Sequence, residues 1–194
     1  GPEDWLQIPT VGRTTVRDQV EALKSRAVPQ AHGPTNVAVT SGSTGKPVRV
    51  VQTALSAAYE GAALLRYHKW HERNFQARLA SIKHNHLPTD GKEDYYQSNW
   101  GWPVSHVYPS GQVAALTLAS TVSQQAAWLQ RIKPDYLLSL PSNLTYLLKY
   151  FREQGLEAPG IRSVSTIMEV VQPDLRALCR EVWDCLLYTS PSPR

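Results

Sequence analysis

The sequence predicts an α/β fold in which helices are layered on a mostly parallel sheet, and three observations favour it. From residue 122 onward, helical and strand patterns alternate, as they do in chains that wind a parallel sheet. Residues 136–140 (Y-L-L-S-L) form an apolar run that is typical of a strand buried on both faces. Pro141 opens the helical pattern that follows and Gly155 closes it, which is the order that helix ends prefer.

The first part of the chain predicts a helix, two short strands and a long helix. Thr15 and Asp18 have the spacing of a capping box, which predicts a helix start at Thr15. Residues 35–40 and 48–52 are rich in β-branched residues and are predicted to be strands. Residues 53–75 carry two adjacent apolar stripes at helical spacing, so we expect a helix whose wide apolar face covers a sheet.

The rest of the chain supplies the repeating layer. Residues 79–83 are a predicted strand. Residues 84–113 are rich in Pro, Gly, His and aromatic residues without a clear period, and they are predicted to be a long loop of functional type. Three helix patterns then alternate with strands; the helices begin near residue 122, at Pro141 and at Pro173, and the strands are 136–140 and 161–167. Apolar residues on one face of these helices are predicted to be buried: Val122, Ala126, Leu129, Ile132, Leu144, Leu147, Leu148, Phe151, Leu175, Leu178, Cys179 and Val182.

Composition describes an ordered chain of 194 residues. Hydrophobic residues make up 42% and charged residues 19%, which favours a packed core over disorder. Two cysteines are too few for a disulfide framework, which suits a reducing, cytoplasmic location. No run reaches the roughly 20 apolar residues of a membrane span, and the start lacks the basic-then-apolar order of a signal peptide. We therefore expect no membrane partner.

Charge and histidine spacing argue against two further kinds of site. The net charge is +4, from 20 Lys and Arg against 16 Asp and Glu, and the basic residues are scattered rather than clustered. This pattern weighs against a nucleic-acid partner. His68 and His71 are one helical turn apart, but no third ligand follows at a matching spacing. The sequence therefore predicts no metal held by its own ligand cluster.

The most unusual segment is residues 40–47, T-S-G-S-T-G-K-P. Its glycines allow consecutive backbone N–H groups to turn toward one anion, its hydroxyl residues add hydrogen-bond donors, and its lysine adds a compact positive charge. These properties suit a polyphosphate. The candidate phosphate-binding residues are Thr40, Ser41, Gly42, Ser43, Thr44, Gly45 and Lys46.

This segment is not a Walker A loop. That pattern, G-x-x-x-x-G-K-[ST], has a glycine and a hydroxyl residue where this chain has Thr40 and Pro47. A predicted strand follows the loop, so no helix dipole assists it. On spacing alone, a Gly/Ser-rich hairpin turn without a ligand is an equal alternative.

The segment resembles the phosphate-binding motif of the adenylate-forming superfamily, which comprises acyl-CoA synthetases, luciferases and the adenylation domains of peptide synthetases. Residues 8–11 (I-P-T-V) and the pattern over 15–23 are similar to the lead-in of its phenylacetate–CoA ligase-like and coenzyme F390 synthetase-like branch. Residues 134–144 (P-D-Y-L-L-S-L-P-S-N-L) resemble the P-D-Y-L-x-x-x-P-S-N-L segment of that branch. Residues 165–169 (S-T-I-M-E), followed by 173–176 (P-D-L-R), resemble its T-x-G-E … P-x-x-R stretch.

The resemblance implies that residues 1–184 are part of the large N-terminal, AMP-binding domain of an adenylate-forming ligase, with the phosphate loop on a β-hairpin. In that family a carboxylate attacks the α-phosphate of ATP and gives an acyl-adenylate and pyrophosphate. A thiol, usually that of coenzyme A, then takes the acyl group. The resemblance thus implies ATP, Mg²⁺ and coenzyme A as cofactors and a small carboxylic acid as substrate.

The resemblance also implies roles for individual residues. Thr40 to Lys46 would hold the β- and γ-phosphates, and Glu169 matches the glutamate of the later motif, near the nucleotide or acyl pocket. Trp100 and Trp102 lie where the family builds its acyl-binding wall, with aromatic packing beneath a loop as an equal alternative. Met168 departs from the pattern, because the family usually has glycine there. Two interpretations of Met168 therefore stay open: its side chain narrows the pocket, or the chain is a divergent, even inactive, member of the family.

The end of the chain carries a separate expectation. Residues 185–194 (C-L-L-Y-T-S-P-S-P-R) resemble a translated sequencing adapter, with a native Ser/Pro-rich tail as the alternative. We expect an N-terminal fragment that lacks the later family motifs and does not itself catalyse ATP–pyrophosphate exchange. Two other hypotheses stay open: a non-catalytic nucleotide-binding homologue, motivated by Met168, and an unrelated phosphate- or nucleic-acid-binding domain, motivated by the basic charge.

Overall fold

A computed structural model describes residues 4, 7–39, 47–84 and 94–189. The chain divides into two units, Gly1–Lys69 and Trp70–Arg194. Among the helices of the described residues, none has the length and apolar character needed to cross a membrane.

The first unit contains α1 (Arg13–Asp18), α2 (Val20–Leu23), a 3₁₀ turn (Gln30–His32), β1 (Thr35–Val39), β2 (Arg49–Thr53) and α3 (Ala54–Trp70). The helix predicted from Thr15 is divided into α1 and α2, and its predicted capping box is wrong. Gly12 is the N-cap, so Thr15 lies inside α1. Asp18 pairs with the neighbouring Arg17 at 2.6 Å instead of capping the helix.

The strands β1 and β2 form an antiparallel hairpin, as predicted. Thr35 pairs with Thr53 and Val39 pairs with Arg49, so residues 40–48 connect the two strands. Their β-branched side chains favour this extended pairing. The predicted phosphate loop, residues 40–46, lies outside the described residues. The hairpin that carries it is confirmed.

The helix α3 is shorter than predicted and buries less of its surface. It begins where the Ser56 N–H donates to Thr53 Oγ1 at 3.1 Å and the Thr53 N–H donates to Ser56 Oγ at 2.9 Å. It ends at Trp70, before Glu72, whose backbone is left-handed with φ of 47°. Tyr59, which belongs to the predicted apolar face, is 71% exposed, so that face is not covered at this residue. Two adjacent stripes span more of a helix surface than one apolar stripe of ordinary width, so part of that surface stays exposed.

The second unit contains β3 (Leu79–Lys83), β4 (Asp94–Gln97), β5 (Val113–Thr117), β6 (Tyr136–Ser139), β7 (Ser163–Thr166) and β8 (Leu186–Thr189). They form one sheet in the order β4-β5-β3-β6-β7-β8. Every neighbouring pair is parallel except β4 and β5, which are antiparallel. The predicted α/β class with a mostly parallel sheet is confirmed.

The helices of this unit are α4 (Val104–Val107), α5 (Val122–Ile132), α6 (Pro141–Glu153) and α7 (Leu175–Trp183). Helix α5 starts at a complete capping box between Thr121 and Gln124. Helix α6 starts at Pro141, as predicted, because proline tolerates the first turn. Its predicted stop is also confirmed, since Gly155 has the left-handed backbone that favours glycine after a helix, with φ of 60°.

The core lies between the sheet and these helices. Ala80, Leu137, Val164 and Leu187 are in register on neighbouring strands, and all are buried. Successive side chains of a strand point to opposite faces, so this row faces the helices. The helices contribute buried residues at predicted positions: Ala126, Leu129, Ile132, Leu144, Leu147, Leu148, Phe151, Leu175, Leu178 and Cys179. Val122 and Val182 are only partly buried and pack against this cluster.

Two segments contain helices or strands that the sequence did not predict. The predicted loop of residues 84–113 contains β4 and α4. Residues 186–189, within the predicted non-native tail, form the edge strand β8 and pair with β7. Leu187 is buried there, so apolar contact explains the strand. The origin of residues 185–194 stays a prediction.

We expect Phe151→Ala to lower the free energy of unfolding by about 3–5 kcal/mol. Phe151 is 1% exposed, and its ring meets the Trp183 ring edge-on at 5.2 Å between centroids. Urea unfolding followed by circular dichroism measures the change. The control is Tyr146→Ala on the same helix, whose ring is exposed and whose loss is expected to cost less than about 1 kcal/mol. Equal losses would contradict the buried face assigned to α6.

Candidate functional site

The carboxyl ends of the parallel strands β3, β5, β6 and β7 lie at one edge of the sheet. The chain runs from β3 to its neighbour β5 and then crosses to β6 on the other side of β3. In open α/β sheets, ligands bind outside the carboxyl ends where connections diverge in this way. The strands end there at Lys83, Thr117, Ser139 and Thr166. Lys83 was not among the site residues predicted from the sequence, because only the strand order shows that it lies at the carboxyl end of a central strand.

Glu169, a predicted site residue, lies after β7 and binds the start of α6. The Ser142 N–H donates to Glu169 Oε2 at 2.8 Å, and the Ser142 hydroxyl donates to Glu169 Oε1 at 2.9 Å. A carboxylate here accepts from an otherwise unpaired N–H of the first turn and complements the positive end of the helix. Both carboxylate oxygens of Glu169 are thus engaged by α6.

A tight turn precedes this carboxylate. The Glu169 N–H donates to the Ile167 carbonyl at 2.9 Å, and Met168 between them has φ of 69°. This is a γ-turn of the rare, strained kind, which glycine adopts at lower cost. Met168 stands where the similar family motif has glycine, so the backbone conformation accounts for a glycine at this position. The side chains of Met168 and Val170 are 73% and 83% exposed.

A buried polar network joins the starts of α5 and α6. Asn143 Nδ2 donates to Gln125 Oε1 at 2.8 Å and to Ser139 Oγ at 3.2 Å. Gln125 Nε2 donates to the Ser120 carbonyl at 2.9 Å. All four residues are buried. Because a buried polar group that loses its partner is costly, this network fixes the two helix starts relative to each other.

Two of the helix N-termini at this edge are bound by the chain's own side chains: Thr121 and Gln124 cap α5, and Glu169 binds α6. Asp174 is the N-cap residue of α7, but its side chain makes no capping hydrogen bond. Helix N-termini are ready-made phosphate sites in α/β folds. A carboxylate already bound at such a terminus repels a second anion.

The two predicted pocket tryptophans differ in their surroundings. The Trp100 ring meets the rings of Phe75 and Tyr136 edge-on, at 5.6 Å and 5.8 Å between centroids. Its Nε1–H donates to the Ala77 carbonyl at 2.9 Å. Trp102 is 50% exposed. Aromatic packing is thus realised at Trp100, and a role in a substrate wall stays a prediction for both residues.

The described residues contain no group of three or more His, Cys, Asp and Glu side chains able to hold a metal ion. His71 instead stacks on the Tyr188 ring, with 3.7 Å between centroids. Burial, and next the charge of Arg73, lower the pKa of His71. A neutral imidazole suits this stacked position.

Solved structures share this fold. The chain matches 2-hydroxyisobutyryl-CoA ligase in complex with 2-HIB-AMP and CoA, with a TM-score of 0.64, 18% identity and coverage of 96% of this chain and 43% of the ligase. It matches VinN in complex with L-aspartate, with a TM-score of 0.53, 12% identity and coverage of 78% of this chain and 35% of VinN. It also matches the inhibitor-bound N-terminal domain of FACL13 from Mycobacterium tuberculosis, with a TM-score of 0.50 and 15% identity. That match covers 81% of this chain and 36% of the FACL13 chain.

These matches bear on the fold. The chain spans less than half the length of the ligase and of VinN. The expected fold, a mixed α/β layer of the kind found in the N-terminal domain of adenylate-forming enzymes, is confirmed. No protein-family model matches the chain, and no curated protein matches it in sequence.

We expect Met168→Gly to raise the free energy of unfolding by about 1 kcal/mol, because glycine relieves the strain of positive φ. Little packing is lost, since the Met168 side chain is mostly exposed. Urea unfolding measures the change. Met168→Ala keeps a Cβ atom in the strained turn and is expected to stay within about 0.5 kcal/mol of the wild type. A less stable Met168→Gly protein would contradict the strain at this turn.

Proposed function

We propose that the chain belongs to the adenylate-forming superfamily and takes part in ATP-dependent activation of a carboxylic acid, followed by transfer of the acyl group to coenzyme A. The observation that carries this proposal is the position of residues 40–46, in the connection of the β1–β2 hairpin, within a chain that shares its fold with a CoA ligase solved with 2-HIB-AMP and CoA. Fold alone would not support an activity. The phosphate-binding composition of the connection adds the chemistry.

The proposed reaction assigns a charge-stabilising role to this loop. A carboxylate oxygen attacks the α-phosphorus of ATP, and the bond to the pyrophosphate oxygen breaks. The thiol sulfur of coenzyme A then attacks the acyl carbon, and AMP leaves. The N–H groups and hydroxyls of residues 40–46, with the Lys46 ammonium, would stabilise the negative charge that develops on the leaving pyrophosphate. Mg²⁺ would bind mainly through the phosphate oxygens, which requires only one or two carboxylates.

The hydrogen bonds already made at two helix N-termini support this assignment. The capping box uses the Thr121 and Gln124 N–H groups at the start of α5, and Glu169 accepts from the Ser142 N–H at the start of α6. Residues 40–46 combine glycines, hydroxyls and a lysine, a composition that suits a polyphosphate. We therefore assign phosphate binding to Thr40, Ser41, Gly42, Ser43, Thr44, Gly45 and Lys46.

A contact between two motif segments supports the phenylacetate–CoA ligase-like branch. Ser142 belongs to the segment 134–144 and Glu169 to the segment 165–169, and these two residues are bound to each other. The segments that carry the resemblance thus form one structural feature. On this proposal Trp100 and Trp102 belong to the acyl side of the site, and the substrate is a small carboxylic acid.

The loop assignment predicts that Gly42→Ala and Lys46→Ala each weaken binding of ATP–Mg²⁺ by about tenfold or more. Lys46→Ala removes a charged contact worth roughly 1.5–3 kcal/mol, and the Cβ atom of Gly42→Ala restricts the backbone whose N–H groups turn toward the anion. Isothermal titration calorimetry measures the affinity. Lys149→Ala removes one exposed charge from α6 and is expected to bind like the wild type. Equal affinities of the wild type and the loop variants, or no saturable binding by the wild type, would contradict the assignment.

The acid-activating step is measured with the full-length protein, as release of pyrophosphate from ATP across a panel of aryl and alkyl carboxylic acids. We expect release that depends on the acid and is at least about tenfold slower in Lys46→Ala. Tight ATP binding with no release for any acid would contradict the ligase proposal and favour a non-catalytic nucleotide-binding homologue. Salt-dependent binding of random DNA without an effect of ATP would favour the nucleic-acid hypothesis.

A further inference from the structure

We propose that Ser142 is a positioning residue, which holds residues 167–170 in a ligand-binding conformation through the carboxylate of Glu169. The inference rests on the proposed function, and it places the adenylate of that reaction against the carboxyl edge of the sheet. It also gives Glu169, which the sequence placed near the nucleotide or acyl pocket, the role of holding the turn.

The geometry of the Ser142–Glu169 contact suits such a role. Two donors of one residue, the N–H and the hydroxyl of Ser142, reach two different oxygens of Glu169, at 2.8 Å and 2.9 Å. A two-point contact fixes the orientation of the carboxylate plane, whereas a single bond would let it rotate. The partial positive charge of the α6 N-terminus compensates the carboxylate charge, so a nearby phosphate meets less repulsion than it would from a free carboxylate.

The base of this contact is rigid. Asn143, the residue after Ser142, is held by Gln125 and Ser139 in the buried network. Leu144, one residue further, is fully buried in the core. Ser142 is therefore followed by two buried residues that fix the first turn of α6, as a support for a functional loop requires.

The loop that Glu169 holds is fixed on both sides of the exposed residues. On one side the Glu169 N–H closes the γ-turn with the Ile167 carbonyl. On the other side Val171 packs against the hydrophobic core. Between and beside these contacts, Met168 and Val170 present apolar side chains to solvent. An adenylate that docks here would cover these side chains, and its affinity would depend on the turn being preformed.

The conformational part is tested on the free protein by hydrogen exchange at the Glu169 amide. Ser142→Ala removes the hydroxyl donor but keeps the backbone donor, and we expect exchange to be about fivefold faster, the size of a typical helix-capping contact. Ser142→Thr keeps the hydroxyl and is expected to stay within about twofold. Ser123→Ala is the matched control, because Ser123 holds the same second position in α5. Unchanged exchange in Ser142→Ala would overturn the proposal.

The functional part is tested by titrating ATP–Mg²⁺ into the same variants. We expect Ser142→Ala to bind about fivefold more weakly, with rescue in Ser142→Thr and no change in Ser123→Ala. If the wild type binds and Ser142→Ala binds equally well, the positioning role is overturned while the proposed function stands. If the wild type does not bind, the proposed function is contradicted, and the positioning role falls with it.

Discussion

Parallel pairing of β5, β3, β6 and β7 is the constraint on which the second unit depends. Parallel neighbours cannot be joined by a tight turn, so each step requires a crossover, and α5 and α6 supply two of them. Burial of one row of strand side chains, such as Leu137 and Val164, holds these helices on the sheet. Every crossover helix then starts at the carboxyl edge. This is why Ser142 and Glu169, from different crossovers, meet there.

That arrangement has an electrostatic consequence. Helix starts gathered at one edge concentrate unpaired N–H groups and partial positive charge, which would attract any anion. In this chain Glu169 and the capping box of Thr121 use that capacity internally. These contacts stabilise the starts of α5 and α6. In the proposed function, phosphate binding is assigned to the glycine, hydroxyl and lysine residues of 40–46 instead.

Local sequence patterns predicted the alternating helices and strands of the second unit well, but they did not predict the side-chain contacts between those elements. The start, the end and the buried face of α6 are set by residues within the helix or next to it, such as Pro141 and Gly155. The helix could therefore be predicted from the sequence. The Ser142–Glu169 contact could not, because it depends on the register of two strands. The Thr15 capping box failed for the opposite reason: the spacing was right, but Gly12 offered an earlier start. The resemblance to a glycine-containing motif singled out Met168 as a departure, but neither it nor composition and periodicity predicted a turn with positive φ there.

The central claim is that this chain holds nucleotide phosphates through the hairpin loop and not through helix N-termini. Hydrogen exchange with and without saturating ATP–Mg²⁺, resolved to short peptides, tests it most directly. The account predicts slower exchange over residues 40–46 on binding, with no change over the first turn of α5. Slower exchange at the start of α5, with residues 40–46 unchanged, would contradict it.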